Sequence, residues 1–249
     1  GMLGFSADES HSDDYTIAMQ KYLNETIYTS NAAEVIDLTK TGTDATAYKD
    51  ASFFARGGYS YMGKYIAEAT WRRDGSSRFG QGNKWGNFFS GSAAWRFSDE
   101  HFMDWAKSFL DDGKLRYSVG QTGNDRIGDF GSYTLINFGN SSSNPADAPG
   151  YYAGSSGAAL GTAMGNSDIQ WEATTQADYG IDLAFFKGKL NFSADYYNKT
   201  TSHLLYNQQL PAETGAKTVF INLGSIVNSG LELNLTGTPV STRDFEWNI

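Results

Sequence analysis

The chain of 249 residues carries a formal net charge of −9 and contains no cysteine. The missing cysteine excludes a disulfide framework, a thiolate zinc site and a thiol nucleophile, and the acidic balance argues against a protein that binds nucleic acid through its phosphates. An aromatic share of 15% beside 28 glycines and only 4 prolines is typical of β proteins, and the length allows one large β domain or two ordinary ones.

Alternation of apolar and polar side chains is the strongest pattern in the chain, and it predicts strands along most of its length. Residues 1–50 are predicted to hold the end of one strand and a long extracellular loop. Consecutive hairpins are predicted over residues 51–249, the last strand being cut where the sequence stops. The predicted strands after residue 50 lie in the segments ASFFARGGYSY, YIAEATWR, KWGNFFSGSAAWRFS, KLRYSVGQ, WEATTQADYGIDLAF, LNFSADYYN, VNSGLELNL and FEWNI.

The connections between these strands alternate in length. Short links fall at 62–64, 187–189 and 239–243, and long polar links at roughly 8–50, 123–168 and 201–218. One short helix is predicted in DEHFMDWAKSFLDDG, between two strands. Short turns on one side and long loops on the other are typical of an outer-membrane β-barrel, whose short turns face the periplasm.

The segment WRRDGSSRFGQGNKWG, residues 71–86, gathers four basic residues and four glycines. It is not a dinucleotide-binding fingerprint, because Trp85 stands where the last glycine is needed and no amphipathic helix follows. We interpret it as a hairpin connection at the rim of a barrel, whose basic side chains pair with neighbouring carboxylates rather than with phosphate.

No motif predicts catalysis. His11, His101 and His203 are far apart and lack a metal-ligand partner at helical spacing, and the Gly-Ser-Ser-Gly segment at 154–157 does not match a nucleophile elbow. We therefore predict neither an enzyme nor a bound metal or other cofactor.

Several segments in order resemble the barrel of SusC/RagA-type TonB-dependent outer-membrane transporters, from about residue 51 to the C-terminus. These segments are RRDGSSRFGQGNKWG, WRFSDEHFM, LRYSVGQTGNDRIGDF, WEATTQADYGIDLAFFKGKLNFSADYYNKTTSHLL and NLGSIVNSGLELNLTGTPV. The sequence departs from the family pattern at His203, where an acidic residue is frequent, and at Gln170, where a basic one is frequent.

The resemblance implies an all-β, antiparallel up-and-down meander of about nine strands, a partial segment of a transmembrane barrel of about 22 strands, with its short helix in a periplasmic turn and the plug domain absent. It further implies import of an oligosaccharide or peptide through the Gram-negative outer membrane. The partners implied are a SusD-like surface lipoprotein, TonB through the missing N-terminal region, and the lipid bilayer, but no nucleic acid. A slice of this kind is not expected to transport by itself.

Substrate contacts are expected in the long extracellular loop from Gly123 to Asp168, because such loops carry most recognition. The candidate residues are Asp125, Asp129, Tyr133, Tyr151 and Tyr152. A solvated loop without a binding role is the competing interpretation of the same residues.

Two other functions fit the alternation. A soluble sandwich also alternates, so a secreted carbohydrate-binding β-sandwich module stays open as an alternative. A glycosidase with a β-sandwich fold would need two facing carboxylates, and no such pair can be chosen from the sequence. A sandwich buries its apolar face, whereas a slice of barrel leaves that face and two strand edges uncovered.

Overall fold

The computed structural model describes residues 1–22, 24, 26, 29–37, 41–138, 158–238, 240–241 and 246–247. One sheet of eight strands dominates, and the strands follow one another across the sheet in the order in which they occur along the chain. All neighbours in this sheet are antiparallel. Its members are β1 (Met2–Thr16), β4 (Gly42–Tyr61), β5 (Tyr65–Ser76), β6 (Trp85–Arg96), β7 (Leu110–Asn124), β11 (Glu172–Phe185), β12 (Leu190–Ser202) and β15 (Ser225–Gly237).

The remaining elements are short. The other strands are β2 (Met19–Tyr22), β3 (Ala33–Ile36), β8 (Ile136–Phe138), β9 (Ala158–Leu160), β10 (Ala163–Met164), β13 (Leu205–Gln209), β14 (Thr218–Asn222), β16 (Val240–Ser241) and β17 (Glu246–Trp247). The 3-10 helices are Ser30–Ala32, Phe97–Asp99, His101–Ala106 and Ala212–Thr214. Among the described residues, no helix combines the length and the apolar character needed to cross a membrane.

The predicted antiparallel all-β meander is confirmed, with eight strands in the main sheet against the expected nine. Of the predicted last strand, FEWNI, the described residues Glu246–Trp247 lie outside this sheet and pair with Val240–Ser241 as a separate two-stranded sheet. The predicted helix between β6 and β7 forms as the two short 3-10 helices Phe97–Asp99 and His101–Ala106, neither with a side-chain hydrogen bond at its N-cap.

Two loops are shorter in the structure than the sequence predicted. The first connection spans 17–41 rather than 8–50, because β1 extends to Thr16 and β4 begins at Gly42, and the two pair along this whole length. The predicted loop at 201–218 contains β13, which pairs with β14. These stretches are strands without an apolar face, so the alternation of hydrophobicity that marks the other strands is missing.

The register of the main sheet sorts its side chains onto two faces. The apolar face holds large side chains that are exposed: Phe5, Phe53, Tyr59, Tyr61, Tyr65, Phe89, Leu115, Tyr117, Tyr179, Tyr196, Leu231, Leu233 and Leu235. The polar face holds most of the charge. Leu231, Leu233 and Leu235 are 65%, 64% and 61% exposed, so no second layer of the described chain covers this face. The sandwich alternative, which requires such a layer, is therefore wrong.

The sheet is open. β1 and β15 are its outermost strands, and no described strand lies beside their outer edges. The few buried apolar side chains lie mainly at the ends of the sheet, in its connections.

Candidate functional site

The connections at one end of the sheet pack into an ordered structure, here called the loop cluster: residues 77–84, 125–135 and 161–171 with β13 and β14. Phe79, Ile127 and Ile169 form its buried centre, and both Phe79 and Ile169 are 0% exposed. Trp171, Leu205 and Phe220 pack around them. The ring of Phe79 lies 4.9 Å from that of Trp171, centroid to centroid.

Hydrogen bonds between the connections hold the loops of this cluster together. Asn83 donates its side-chain amide to the carbonyl of Asp168 at 3.1 Å, and the Trp171 indole donates to the carbonyl of Lys84 at 3.3 Å. Gly80 lies so close to the backbone of Ser167 that a Cβ would collide with the Ser167 carbonyl oxygen. Residue 80 is therefore a glycine because two loops touch there.

Arg78 connects the two predicted acidic residues of the site. Its guanidinium donates to Asp129 at 2.9 Å and to Asp125 at 3.0 Å, and lies 4.2 Å from the ring centroid of Tyr48. Burial lowers the pKa of Arg78, but its bonds to the two carboxylates outweigh this and raise the pKa above its ordinary value. The prediction that basic residues of 71–86 pair with carboxylates is confirmed here and at Arg72, which binds Asp74.

The five predicted substrate-binding residues therefore fall into different positions. Asp125 and Asp129 lie close together because both bind Arg78, and this arginine matches their charges. Tyr133 follows in the same connection and is 55% exposed. Tyr151 and Tyr152 lie outside the described residues. Substrate binding by these five stays a prediction.

Asp50 belongs to the same charged group and was missed from the sequence. Burial raises the pKa of Asp50, and the nearby charge of Asp125 adds to this. Its Oδ1 is buried with no hydrogen-bond partner among the described residues, and Asp8 lies directly opposite in the register. Asp50 precedes the apolar stretch of β4, in residues interpreted as loop.

The polar face of the sheet carries a chain of ion pairs across three strands. Arg116 on β7 makes two bonds of 2.8 Å to Asp182 on β11 and one of 3.0 Å to Asp195 on β12. Lys114 also reaches Asp182, at 3.0 Å. Nearer β1, Arg56 contacts Glu68 at 2.6 Å. These pairs cross-link neighbouring strands through their side chains.

Beside these pairs the same face forms a shallow groove of about 380 Å³. Three charged residues line this groove, Glu68, Asp178 and Lys199. The rest of its polar lining consists mostly of hydroxyl side chains: Thr70, Ser90, Ser92, Ser118, Thr122, Thr174 and Gln176. Asp178 accepts hydrogen bonds from Gln176 at 2.8 Å and Ser118 at 3.3 Å. A groove of this kind offers hydrogen bonds to a hydrophilic solute or to a polar protein segment.

Metal-ligating groups do not converge in the part of the chain that the structure describes: no three His, Asp or Glu side chains could hold an ion together. His11 pairs with Asp13 at 3.1 Å, and His101 lies 3.7 Å from Asp104. Both pairs are exposed and local.

Comparison with known proteins gives one consistent result. The family described as "TonB dependent receptor-like, beta-barrel" matches residues 3–249. The chain is 40% identical over 247 residues to "TonB-dependent receptor P39" of Formosa agariphila, which covers 99% of this chain and 23% of that receptor. It is 33% identical over 207 residues to "TonB-dependent receptor SusC" of Bacteroides thetaiotaomicron, covering 82% of this chain and 20% of SusC.

A solved structure of the RagAB peptide transporter has the same fold. It superimposes with a TM-score of 0.79 at 26% identity, over 99% of this chain and 26% of the matched chain. The chain thus spans roughly a fifth to a quarter of the proteins that it matches.

Proposed function

Because the chain belongs to the family of TonB-dependent receptor-like β-barrels, we propose that it forms part of the barrel wall of an outer-membrane nutrient importer. The observation that carries this proposal is the open sheet with one exposed apolar face and one ion-paired polar face. In a bilayer the first meets lipid and the second lines a wet lumen, while the sheet satisfies its own backbone groups.

Strand length supports this placement. β4 has 20 residues, about 66 Å at roughly 3.3 Å per residue. A tilted strand needs only about 9–11 residues to cross the hydrocarbon layer. The remainder of β4 rises beyond the apolar band, together with the paired part of β1, and leads to the end that carries the loop cluster. This end faces the cell exterior, and the short turns face the periplasm.

The imported solute is an oligosaccharide or a peptide. The peptide class is supported by the solved RagAB peptide transporter, whose fold the chain shares, and the oligosaccharide class rests on the resemblance of the sequence to SusC/RagA-type transporters. A SusD-like surface lipoprotein would meet the loop cluster, and TonB would act through the remainder of the parent protein. The hydroxyl-rich groove would contribute to the polar lining of the lumen.

Adjacent residues of β15 provide the test of the two faces. Leu233 lies on the apolar face and Asn234 on the polar face. In the parent receptor, Leu233→Arg should strongly reduce the folded receptor recovered from outer membranes, since arginine facing lipid near the bilayer midplane costs about 2–4 kcal/mol. Asn234→Arg, the matched control, should be tolerated because it faces water.

Heat-modifiable migration on gels and the amount of receptor in purified outer membranes measure this difference. Equal tolerance of both variants would overturn the assignment of the two faces. Uptake of labelled oligosaccharides and peptides by cells with and without TonB then tests import separately. Absence of uptake would refute the importer, and equal uptake without TonB would refute its dependence on TonB.

A further inference from the structure

The turn between β6 and β7 displays two exposed aromatic rings. Trp105 is 72% exposed and Phe102 is 59% exposed. Trp105 lies 5.8 Å from Phe109, which stacks on Phe185 of β11 at 6.5 Å and 5°. We call the following residues the aromatic patch: Trp95, Phe97, Phe102, Trp105, Phe109, Phe185 and Phe186.

The aromatic patch continues the apolar face of the sheet. Phe97 lies over Gly113, where any Cβ would collide with its ring. Phe102 lies 6.2 Å from Trp95, and Trp95 is opposite Tyr65 on the apolar face. The turn therefore folds toward the apolar side of the sheet, and its rings extend that surface beyond the strand ends.

Charges within this turn are matched locally. Lys107 binds Asp104 at 2.6 Å, and Lys64 reaches Glu100 at 3.5 Å. Tyr65 and Trp95 donate hydrogen bonds to Glu100, which lowers the pKa of Glu100. The turn thus combines exposed rings with paired charges, a composition suited to the boundary between hydrocarbon and water.

The opposite end of the sheet handles its aromatic residues differently. In the loop cluster, Phe79 is fully buried against Trp171 and is covered by protein alone. At the β6–β7 turn, by contrast, Trp105 contacts Phe109 but stays 72% exposed. The apolar surface beside Trp105 is the one that the proposed function places against lipid.

We propose that the 97–109 turn lies in the phospholipid headgroup layer of the leaflet at its end of the barrel, with Trp105 and Phe102 inserted as an anchor. This inference rests on the proposed function, because it requires the apolar face to meet lipid. The anchor sets the depth at which this end of the barrel sits in the bilayer. Without it, only the aromatic side chains of the strands would set that depth.

Site-directed spin labelling of the parent receptor tests the anchor. The chain contributes no cysteine, so single cysteines can be introduced in a cysteine-free background. Spin labels at Trp105→Cys and Phe102→Cys report the position of the anchor. His101→Cys on the same helix is the aqueous control, because the His101 side chain is 99% exposed. Leu183→Cys reports the position of the apolar face. The labelled receptor is placed in phosphatidylethanolamine–phosphatidylglycerol vesicles, and collision rates with oxygen and with a water-soluble nickel chelate are measured.

We expect the ratio of oxygen to nickel collisions at position 105 to lie several-fold above that at 101 and below that at 183. A position 105 that resembles 101, with 183 deep in lipid, would overturn the anchor and leave the proposed wall intact. Low collision rates with both reagents at 105 would also overturn it, since they indicate a protein contact. An aqueous position 183 would refute the wall itself. Phe102→Cys gives the same reading if Trp105→Cys does not fold.

Discussion

Phe79 is the side chain on which the loop cluster depends most, and its removal has a calculable effect. Its ring is 0% exposed and lies against Trp171 and Ile169. Replacing a buried phenylalanine by alanine costs about 3–5 kcal/mol, of which about 0.5–1.5 kcal/mol reflects ring pairing. We take about 3 kcal/mol for Phe79→Ala, the low end of that range, because the hydrogen bonds of Asn83 and Trp171 remain.

Amide hydrogen exchange in the parent receptor measures this cost locally. A loss of about 3 kcal/mol corresponds to roughly hundredfold easier opening, at about 1.4 kcal/mol per tenfold. The amides of Ile127 and Ile169, which bond to the carbonyls of Asp125 and Asn166, should exchange faster by that factor where exchange follows the opening equilibrium. Amides between β11 and β12 should not change.

Tyr133→Ala is the matched control, because Tyr133 lies in the same cluster but is 55% exposed. It should leave the exchange of Ile127 and Ile169 nearly unchanged. Unaltered exchange in Phe79→Ala would show that the buried centre does not hold the loops together. An equal acceleration in the β11–β12 amides would show instead that the sheet and the loops open as one unit.

Four further changes follow from the charges and close contacts. Arg78→Met should weaken the loop cluster by about 1–3 kcal/mol, because two carboxylates lose a charged donor; Arg78→Lys should recover part of this in the same exchange assay, and equal losses would contradict a role for the charge. Asp50→Asn should strengthen the cluster at pH 7, because burial raises the pKa of Asp50 and its ionised form is disfavoured in the fold. This advantage should shrink as the pH falls through the raised pKa and vanish below the ordinary value, so a weaker cluster at pH 7 would refute the sign. Arg116→Met should lower the urea stability of the receptor by about 1 kcal/mol only, since its side chain is 37% exposed and its pairs are screened; a loss several times larger would show that the network is more strongly coupled than its exposure implies. Gly80→Ala should speed exchange at 161–171 by forcing the loops apart, whereas Gly57→Ala, which meets nothing within 4 Å, should not; a silent Gly80→Ala would mean that the loop shifts freely.

The sequence predicted the sheet well wherever one face of a strand is apolar. Tyr179, Ile181 and Leu183 alternate with polar residues, and this pattern depends only on neighbours along the chain. It fails for Asp8 to Thr16 of β1, since these residues are mostly polar on both faces and pair with β4 through their backbones and through the salt bridge of Glu9 to Lys49. Hydrophobicity carries no signal there.

The loop cluster could not be predicted in the same way. Arg78 and its partners Asp125 and Asp129 lie 47 and 51 residues apart along the chain. The sequence indicated that Arg78 would pair with a carboxylate, but it could not indicate which one. It likewise marked Asp125 and Asp129 as available for a solute, whereas in the fold their charges are matched by Arg78.

The agreement between chain order and strand order also determines how this part of the wall assembles. Most strands join the sheet by pairing with the strand just before them, so each step closes a short loop at little entropic cost. Longer connections, at 17–41 and 203–224, separate β1 from β4 and β12 from β15, and the longest step, from β7 to β11, must close residues 125–171. Those same residues bring Ile127 and Ile169 against Phe79. The loop cluster therefore offsets the cost of the longest closure, and variants that loosen it should delay the joining of a five-strand half to a three-strand half.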